Sequence, residues 1–139
     1  MADTSKGFRF RYRLSGAPPT IQKILSKDTA THTQGDLVNL ETGEIQIAAN
    51  NDVALVGAVQ ETISATDSTT YVSVIVDADA VYGVYDANAR LVGATLDLAG
   101  TTGAMTVATS SNIDLMVVAN SSATEETLVM IAHGEHFTN

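Results

Sequence analysis

The sequence predicts an all-β protein with a small β-barrel or β-sandwich body and an extended N-terminal arm. About nine short apolar or alternating runs are separated by turn-rich polar loops, and this spacing is typical of closed or stacked sheets that hide their strand edges. No stretch of the body keeps apolar residues at helical spacing for more than two turns. The 139 residues are enough for one domain, which buries about 65–70% of its unfolded surface.

Charge divides the chain into two parts. Residues 1–27 hold six of the seven basic residues and one acid, a net charge of +5, whereas residues 28–139 hold one arginine against 15 acids, a net charge of −14. We therefore predict a basic extended arm over residues 1–27 and an acidic β domain over residues 28–139. Such charge asymmetry gives information about the kind of partner that a protein binds and about its solubility. It says little about the fold.

The first element is a strand within the arm, over residues 8–14. Successive side chains of a strand point to opposite faces. One face would hold Phe8, Phe10, Tyr12 and Leu14, and the other Arg9, Arg11 and Arg13. We interpret these seven residues as a partner-binding strand that adds to the sheet edge of another chain. The alternative is that they form the first strand of the domain's own sheet.

Two partner classes are not expected. The charge of −14 on the body would repel a phosphate backbone, and seven basic residues are too few for a long phosphate track, so we expect no nucleic acid. No apolar run approaches the roughly 18 residues of a membrane span, so we expect no membrane partner.

The junction between arm and body contains a predicted break, a short helix and a tether. Residues 16–19 read Gly-Ala-Pro-Pro and interrupt any regular element. Residues 19–26 are the best candidate for a helix. Residues 26–35, which include His32, form a polar stretch with almost nothing to bury. The arm is therefore expected to be able to leave the body, and deletion of residues 1–19 should leave the body folded.

The body is predicted as a succession of short strands. Residues 36–40 and 45–47 form a hairpin around a turn at residues 41–44. Residues 53–59 follow turn residues, and Gly57 within them indicates a bulge or a close backbone approach. The later strands are predicted at residues 70–76, 80–85, 90–98, 104–108, 113–119 and 127–133.

Candidate chemistry in the body is sparse. The chain has no cysteine, which excludes a disulfide, a thiolate metal site and a thiol nucleophile. Asp77 with Asp79, or His133 with His136, would be the residues of a divalent-ion site, but neither pair has the remaining ligands of a known pattern. The sequence also lacks a serine nucleophile elbow. We expect no enzyme, no cofactor and no metal.

A resemblance to a known family lies mainly in residues 35–59. The segments that carry it are Gly-Asp-Leu-Val-Asn-Leu at 35–40, Gly43, Ile-Gln-Ile-Ala-Ala at 45–49 and Leu-Val-Gly-Ala-Val at 55–59, with further similarity at 91–98 and 128–133. This pattern resembles the head decoration, or capsid cement, proteins of tailed bacteriophages. The resemblance implies a β-tulip-like body and a non-enzymatic virion protein that binds and stabilises the outer capsid surface, typically as a homotrimer. It also implies an N-terminal segment that completes a sheet with the major capsid protein or a neighbouring subunit.

Two other functions remain open from the sequence. One is a different virion assembly component, such as a tail-tube or fibre-associated β protein. The other is a divalent-ion-dependent binding domain that uses the aspartates or histidines named above.

Overall fold

A computed structural model describes residues 7–50, 52–65, 69–109 and 113–138, and within these ranges the chain is all-β, as predicted. The strands are β1 Arg9–Arg13, β2 Ile21–Leu25, β3 Thr31–His32, β4 Leu37–Glu41, β5 Glu44–Ile47, β6 Leu55–Ala58, β7 Ile63–Ser64, β8 Tyr71–Ile75, β9 Ala80–Asp86, β10 Thr95–Ala99, β11 Thr106–Thr109, β12 Leu115–Val117 and β13 Glu125–Ile131. These ranges contain no helix long and apolar enough to cross a membrane.

The larger sheet is antiparallel and has six strands in the order β1-β9-β13-β12-β10-β11. It curls enough to bring β11 against β9, where the Thr106 hydroxyl at the start of β11 donates a hydrogen bond to the carbonyl of Tyr85 in β9 at 2.8 Å. Its inner face contributes most of the larger apolar cluster, which includes Tyr82, Val84, Leu96 and Leu115.

The remaining strands curl around a second apolar cluster, which contains Val38, Ile45 and Val74. β2 pairs with β8, and β4 pairs with both β5 and β6. Two single bridges, Val59 to Val74 and Ser26 to Ile45, connect these ladders. Because only single bridges join the ladders, these strands do not form a continuous barrel.

The β4–β5 hairpin confirms the predicted turn. Its two central residues, Thr42 and Gly43, both have positive φ, at 49° and 84°, while Glu41 pairs with Glu44 across the strands. Positive φ at both positions matches the type I′ turn that suits the right-handed twist of a two-stranded ribbon.

The two halves meet where Tyr82 crosses Gly57. The hydroxyl of Tyr82, fully buried, accepts a hydrogen bond from the Ala58 N–H at 3.3 Å. A Cβ at Gly57 would lie 2.0 Å from the carbonyl oxygen of Ile75 and 2.7 Å from the Tyr82 hydroxyl. Gly57 is therefore the close backbone approach that the sequence predicted.

The predicted helix at residues 19–26 is wrong. Five consecutive residues there form β2, which pairs with β8 from Ile21 opposite Ile75 to Leu25 opposite Tyr71. An isolated helix of eight residues gains little, since nucleation is costly, and the ladder with β8 satisfies the same backbone groups.

The expectation that residues 26–35 have almost nothing to bury is also wrong. Ser26 and His32 are both fully buried, and the Ser26 hydroxyl lies 2.7 Å from Nε2 of His32 and 3.0 Å from the Lys27 carbonyl oxygen. Nδ1 of His32 has no partner. The serine hydrogen therefore goes to Lys27 and the imidazole hydrogen lies on Nε2, because the other tautomer would bury an unpaired N–H.

All nine strands predicted in the body are present, and their ends agree within two residues except that the strand predicted at 90–98 begins at Thr95. The two-residue strands β3 and β7 were not predicted, since two residues carry no periodicity.

Candidate docking edge along the first strand

β1 pairs with the protein's own β9, with Arg9 opposite Gly83 and Arg13 opposite Ala80. The segment was interpreted either as a strand that adds to another chain or as the first strand of the domain's own sheet. The structure shows the second arrangement. Among the described residues β1 is nevertheless the last strand of its sheet, so only one of its two edges is paired with a strand. The opposite edge bonds Gly35 at Phe8 but pairs with no described strand, so another strand can add to it beyond Phe8.

A β-bulge at Arg11 changes which side chains share a face. Phe10 lies opposite Tyr82 and Tyr12 lies opposite Val81, so Arg11 is the extra residue. Cross-strand partners share a face, and the bulge moves Tyr12 from the face of Phe10 to that of Arg9. The predicted strict alternation of aromatic and arginine faces is therefore correct only as far as Phe10.

The start of β1 is anchored in the larger core. Phe8 is 1% exposed and its ring packs edge-on against Tyr82, with centroids 6.4 Å apart. The Gly7 N–H donates to the Met105 carbonyl at 2.7 Å, and the Phe8 N–H donates to the Gly35 carbonyl at 2.8 Å. Deletion of residues 1–19 would remove these packed groups, so it does not separate attachment from folding.

Arg11 crosses over β9 to bind β13. Its Nε donates to Oε1 of Glu126 at 2.6 Å, and its NH2 group contacts the other carboxylate oxygen. The path runs over Gly83, where a Cβ would lie 1.9 Å from Oε1 of Glu126 and 2.9 Å from Nε of Arg11. Gly83 thus leaves the space in which an ion pair can connect the two strands that flank β9.

Asp77 and Asp79 hold the end of β1 and the segment that follows it. Nε of Arg13 donates to Asp79 at 2.8 Å and its NH1 lies 3.3 Å from Asp77. The backbone N–H of Ser15 donates to Asp79 at 3.1 Å and that of Thr20 donates to Asp77 at 2.6 Å. Burial opposes ionisation of Asp79, but the hydrogen bonds from Arg13 and Ser15 outweigh it and hold its pKa below the ordinary value.

His136, one of the two histidines of the alternative ion site, also has a local role. His136 is 2% exposed; its Nε2 donates to the Val56 carbonyl at 3.1 Å, and Nδ1 lies 2.8 Å from the Thr138 hydroxyl. His133 is exposed at the surface. In the part of the chain that the structure describes, no three His, Asp or Glu side chains are grouped to hold a metal ion.

A groove runs along β1, with a volume of about 620 Å³. One wall consists of residues 7–11, and the other consists of Gln34, Gly35, Val59 and Gln60. Hydrogen-bonding direction alternates along a strand. Because the Phe8 N–H points to Gly35, away from β9, the backbone groups of Phe10 point the same way, into the groove.

Two apolar side chains extend the edge beyond the groove. Tyr12 is 42% exposed and Leu14 is 56% exposed. The edge therefore combines backbone groups, arginines and exposed apolar surface. These are the components by which added strands are bound and selected.

Comparison with known proteins supports the fold. No family model matches the chain, and no curated protein matches its sequence. Among solved structures, the N base of the head fibre gp8.5 of bacteriophage phi29 matches with a TM-score of 0.52 and 16% sequence identity, covering 84% of this chain and 98% of that one. The chain is similar in fold to a phage head-fibre base. At this identity the similarity concerns the fold alone.

The structure adds residues that the sequence did not indicate. The second wall of the groove comes from the loop before β4 and from the residues just after β6, which are far from β1 in sequence. Only Gly35 and Val59, both in segments that carry the family resemblance, gave any local signal there.

Proposed function

We propose that this protein is a non-enzymatic structural component of a phage virion that binds and stabilises the outer surface of the capsid. The observation that carries the proposal is the edge of β1 that no described strand pairs, on a fold similar to the base of a phage head fibre. The partner is the major capsid protein, and a strand of the capsid or of a neighbouring subunit adds beside β1.

The residues of the attachment edge are Phe8, Arg9, Phe10, Arg11, Tyr12, Arg13 and Leu14. Phe8 and Arg13 fix the strand to its own domain, and the outward backbone of Phe10 together with Tyr12 and Leu14 meets the partner. Each backbone hydrogen bond to an added strand contributes about 0.5–1.5 kcal/mol. Contributions of this size give modest affinity per site, so many copies, assembled as trimers, would attach through avidity.

The charge distribution supports the same arrangement. Residues 1–27 are the attachment element, and the acidic domain of residues 28–139 faces solvent on the decorated shell. Its net charge of −14 would keep neighbouring copies and whole shells apart in solution.

The test is co-sedimentation with expanded capsid shells of the cognate phage, using Leu14→Glu and Leu91→Glu. Both leucines are exposed, at 56% and 71%, so neither substitution disturbs the core. The charge change is the same in both, but only Leu14 lies at the β1 edge. We expect Leu14→Glu to reduce the bound fraction and Leu91→Glu to bind as the wild type does.

Loss of binding in Leu91→Glu, with Leu14→Glu unaffected, would place the attachment on the loop between β9 and β10 and overturn the proposal. Equal binding of all three proteins would exclude both surfaces. Circular dichroism of each variant checks that the fold is intact.

A second candidate is a fibre base in place of a cement protein, favoured by the similarity in fold to the phi29 head-fibre base. A cement protein raises the temperature at which shells come apart. A fibre base attaches without that effect. Thermal disruption of shells with and without bound protein separates the two, and light scattering of the free protein gives the oligomer number.

A further inference from the structure

The outer face of the six-stranded sheet carries apolar side chains that belong to neither core. Val129 of β13 lies in the larger cluster, so Leu128 and Met130 on either side of it point to the opposite face. Met116 of β12 lies opposite Met130. Val118 continues this pairing, since its N–H donates to the Leu128 carbonyl at 2.9 Å.

We call these four side chains, Leu128, Met130, Met116 and Val118, the outer patch. All four are half-buried, and none of them packs against either apolar cluster. The solvent side of an antiparallel sheet ordinarily carries polar residues. Here the strands β12 and β13 place apolar side chains on both faces, and apolar surface grouped in this way indicates contact with another polypeptide.

The distribution of charge indicates which polypeptide fits. Between residues 87 and 124 the sequence contains two acids, Asp97 and Asp114, and both are buried, at 3% and 1% exposed. The strands β10, β11 and β12 therefore present no exposed carboxylate, although the chain has a net charge of −9. Glu126, which borders the patch, is paired with Arg11.

Copies of an acidic chain repel one another, and they meet with the least repulsion through a face without exposed acids. An apolar face is also complementary to itself, because apolar contact requires no opposite charge on the other side. The two methionines have flexible, unbranched side chains that can adjust to the surface they meet.

We propose that the outer patch is the surface through which a second copy of this chain packs. The inference goes beyond the proposed function, because the residues of the patch are different from those of the β1 edge. Attachment to a capsid and contact between copies can therefore be tested separately.

The first experiment is sedimentation equilibrium of the full chain over a range of concentrations, with Met116→Glu and Val53→Glu. Val53 is 65% exposed and lies just before β6, which belongs to a different sheet. Each substitution adds one negative charge, but only Met116→Glu places it in the patch.

We expect the wild type to associate. Met116→Glu should raise the dissociation constant between copies at least about tenfold, because it leaves a carboxylate unpaired in an apolar contact. Val53→Glu should stay within about twofold of the wild type. If circular dichroism shows that Met116→Glu perturbs the fold, Leu128→Ser removes apolar surface from the patch without adding charge and should weaken association in the same direction.

The second experiment locates the contact without any substitution. The chain has four methionines, and Met105 is fully buried in the larger core, so its methyl group is an internal control. In a mixture of methyl-labelled and unlabelled chains, NMR can select NOEs between copies. We expect such NOEs at the methyl groups of Met116 and Met130 and none at that of Met105.

A free protein that is monomeric at every concentration would overturn the proposal, as would equal effects of Met116→Glu and Val53→Glu on association. Association without NOEs between copies at Met116 and Met130 would place the contact on another surface. If the protein is monomeric and Met116→Glu prevents its attachment to shells, the patch meets the capsid and the proposal is wrong. Association through the patch in a protein that does not bind shells would remove the proposed function and leave this inference.

Discussion

Substituting alanine at Gly57 and at Gly83 should have very different consequences, although both glycines lie within strands and have no space for an added Cβ. At Gly57 the obstacles are the backbone carbonyl of Ile75 at 2.0 Å and the buried Tyr82 hydroxyl at 2.7 Å. Backbone in a paired strand cannot move aside, so overpacking costs about 1–3 kcal/mol. Loss of the Tyr82 bond to Ala58 leaves a buried N–H without an acceptor and adds about 1–3 kcal/mol.

At Gly83 the obstacles are the ends of two flexible side chains, Glu126 and Arg11. They can swing into solvent, because these side chains are 26% and 40% exposed. An ion pair this accessible contributes about 0.2–1 kcal/mol, and alanine in a strand gains roughly 0.5–1 kcal/mol over glycine. We therefore expect Gly57→Ala to lower the free energy of unfolding by about 2–6 kcal/mol and Gly83→Ala to change it by less than about 1 kcal/mol.

Denaturant titration of the two variants and the wild type, monitored by circular dichroism, measures both values. Thermal melting gives the same ranking, with about 4 °C for each kcal/mol in a domain of this size. We argue that the loss of stability depends on whether the obstructing atoms belong to the backbone or to a flexible side chain. Equal losses of stability in the two variants would refute this argument.

Three further outcomes are expected. Tyr82→Phe removes the hydroxyl that Ala58 binds and should cost about 1–2 kcal/mol in a denaturant titration; no change would mean that the bond contributes nothing. Burial lowers the pKa of His32 and His136, so the unfolded chain binds protons first and stability should fall as the pH drops from about 6.5 to 5, above the range in which carboxylates titrate. A melting temperature that is constant over this window would contradict it. Arg13→Met removes the side chain that bonds Asp77 and Asp79, and it should make residues 14–20 more sensitive to limited proteolysis; unchanged cleavage would show that Asp77 and Asp79 hold this segment without Arg13.

The strands of the body were predictable because their signals are local. Apolar alternation and turn residues each act within a few positions, and the type I′ turn at Thr42 and Gly43 is encoded by the residues that form it. β2 was not predictable in this way. Ile21, Ile24 and Leu25 are compatible with one side of a helix, and only the ladder with β8, distant in sequence, makes them a strand.

The candidate site was predictable in its position but not in its geometry. The alternating residues 8–14 indicated a strand, yet the bulge at Arg11 depends on its register with β9. The role of Asp77 and Asp79 as partners of Arg13 depends on the loop between β8 and β9 meeting the end of β1. The groove is assembled from three separate segments, so no sequence window contains it.

The most direct test of the central claim is a cryo-electron microscopy reconstruction of capsid shells decorated with this protein, at a resolution that resolves separate strands. We predict a segment of the capsid or of a neighbouring subunit lying beside β1, on the edge opposite β9, with its backbone paired near Phe10. A reconstruction in which this edge faces solvent and the protein contacts the shell through another surface would contradict the claim.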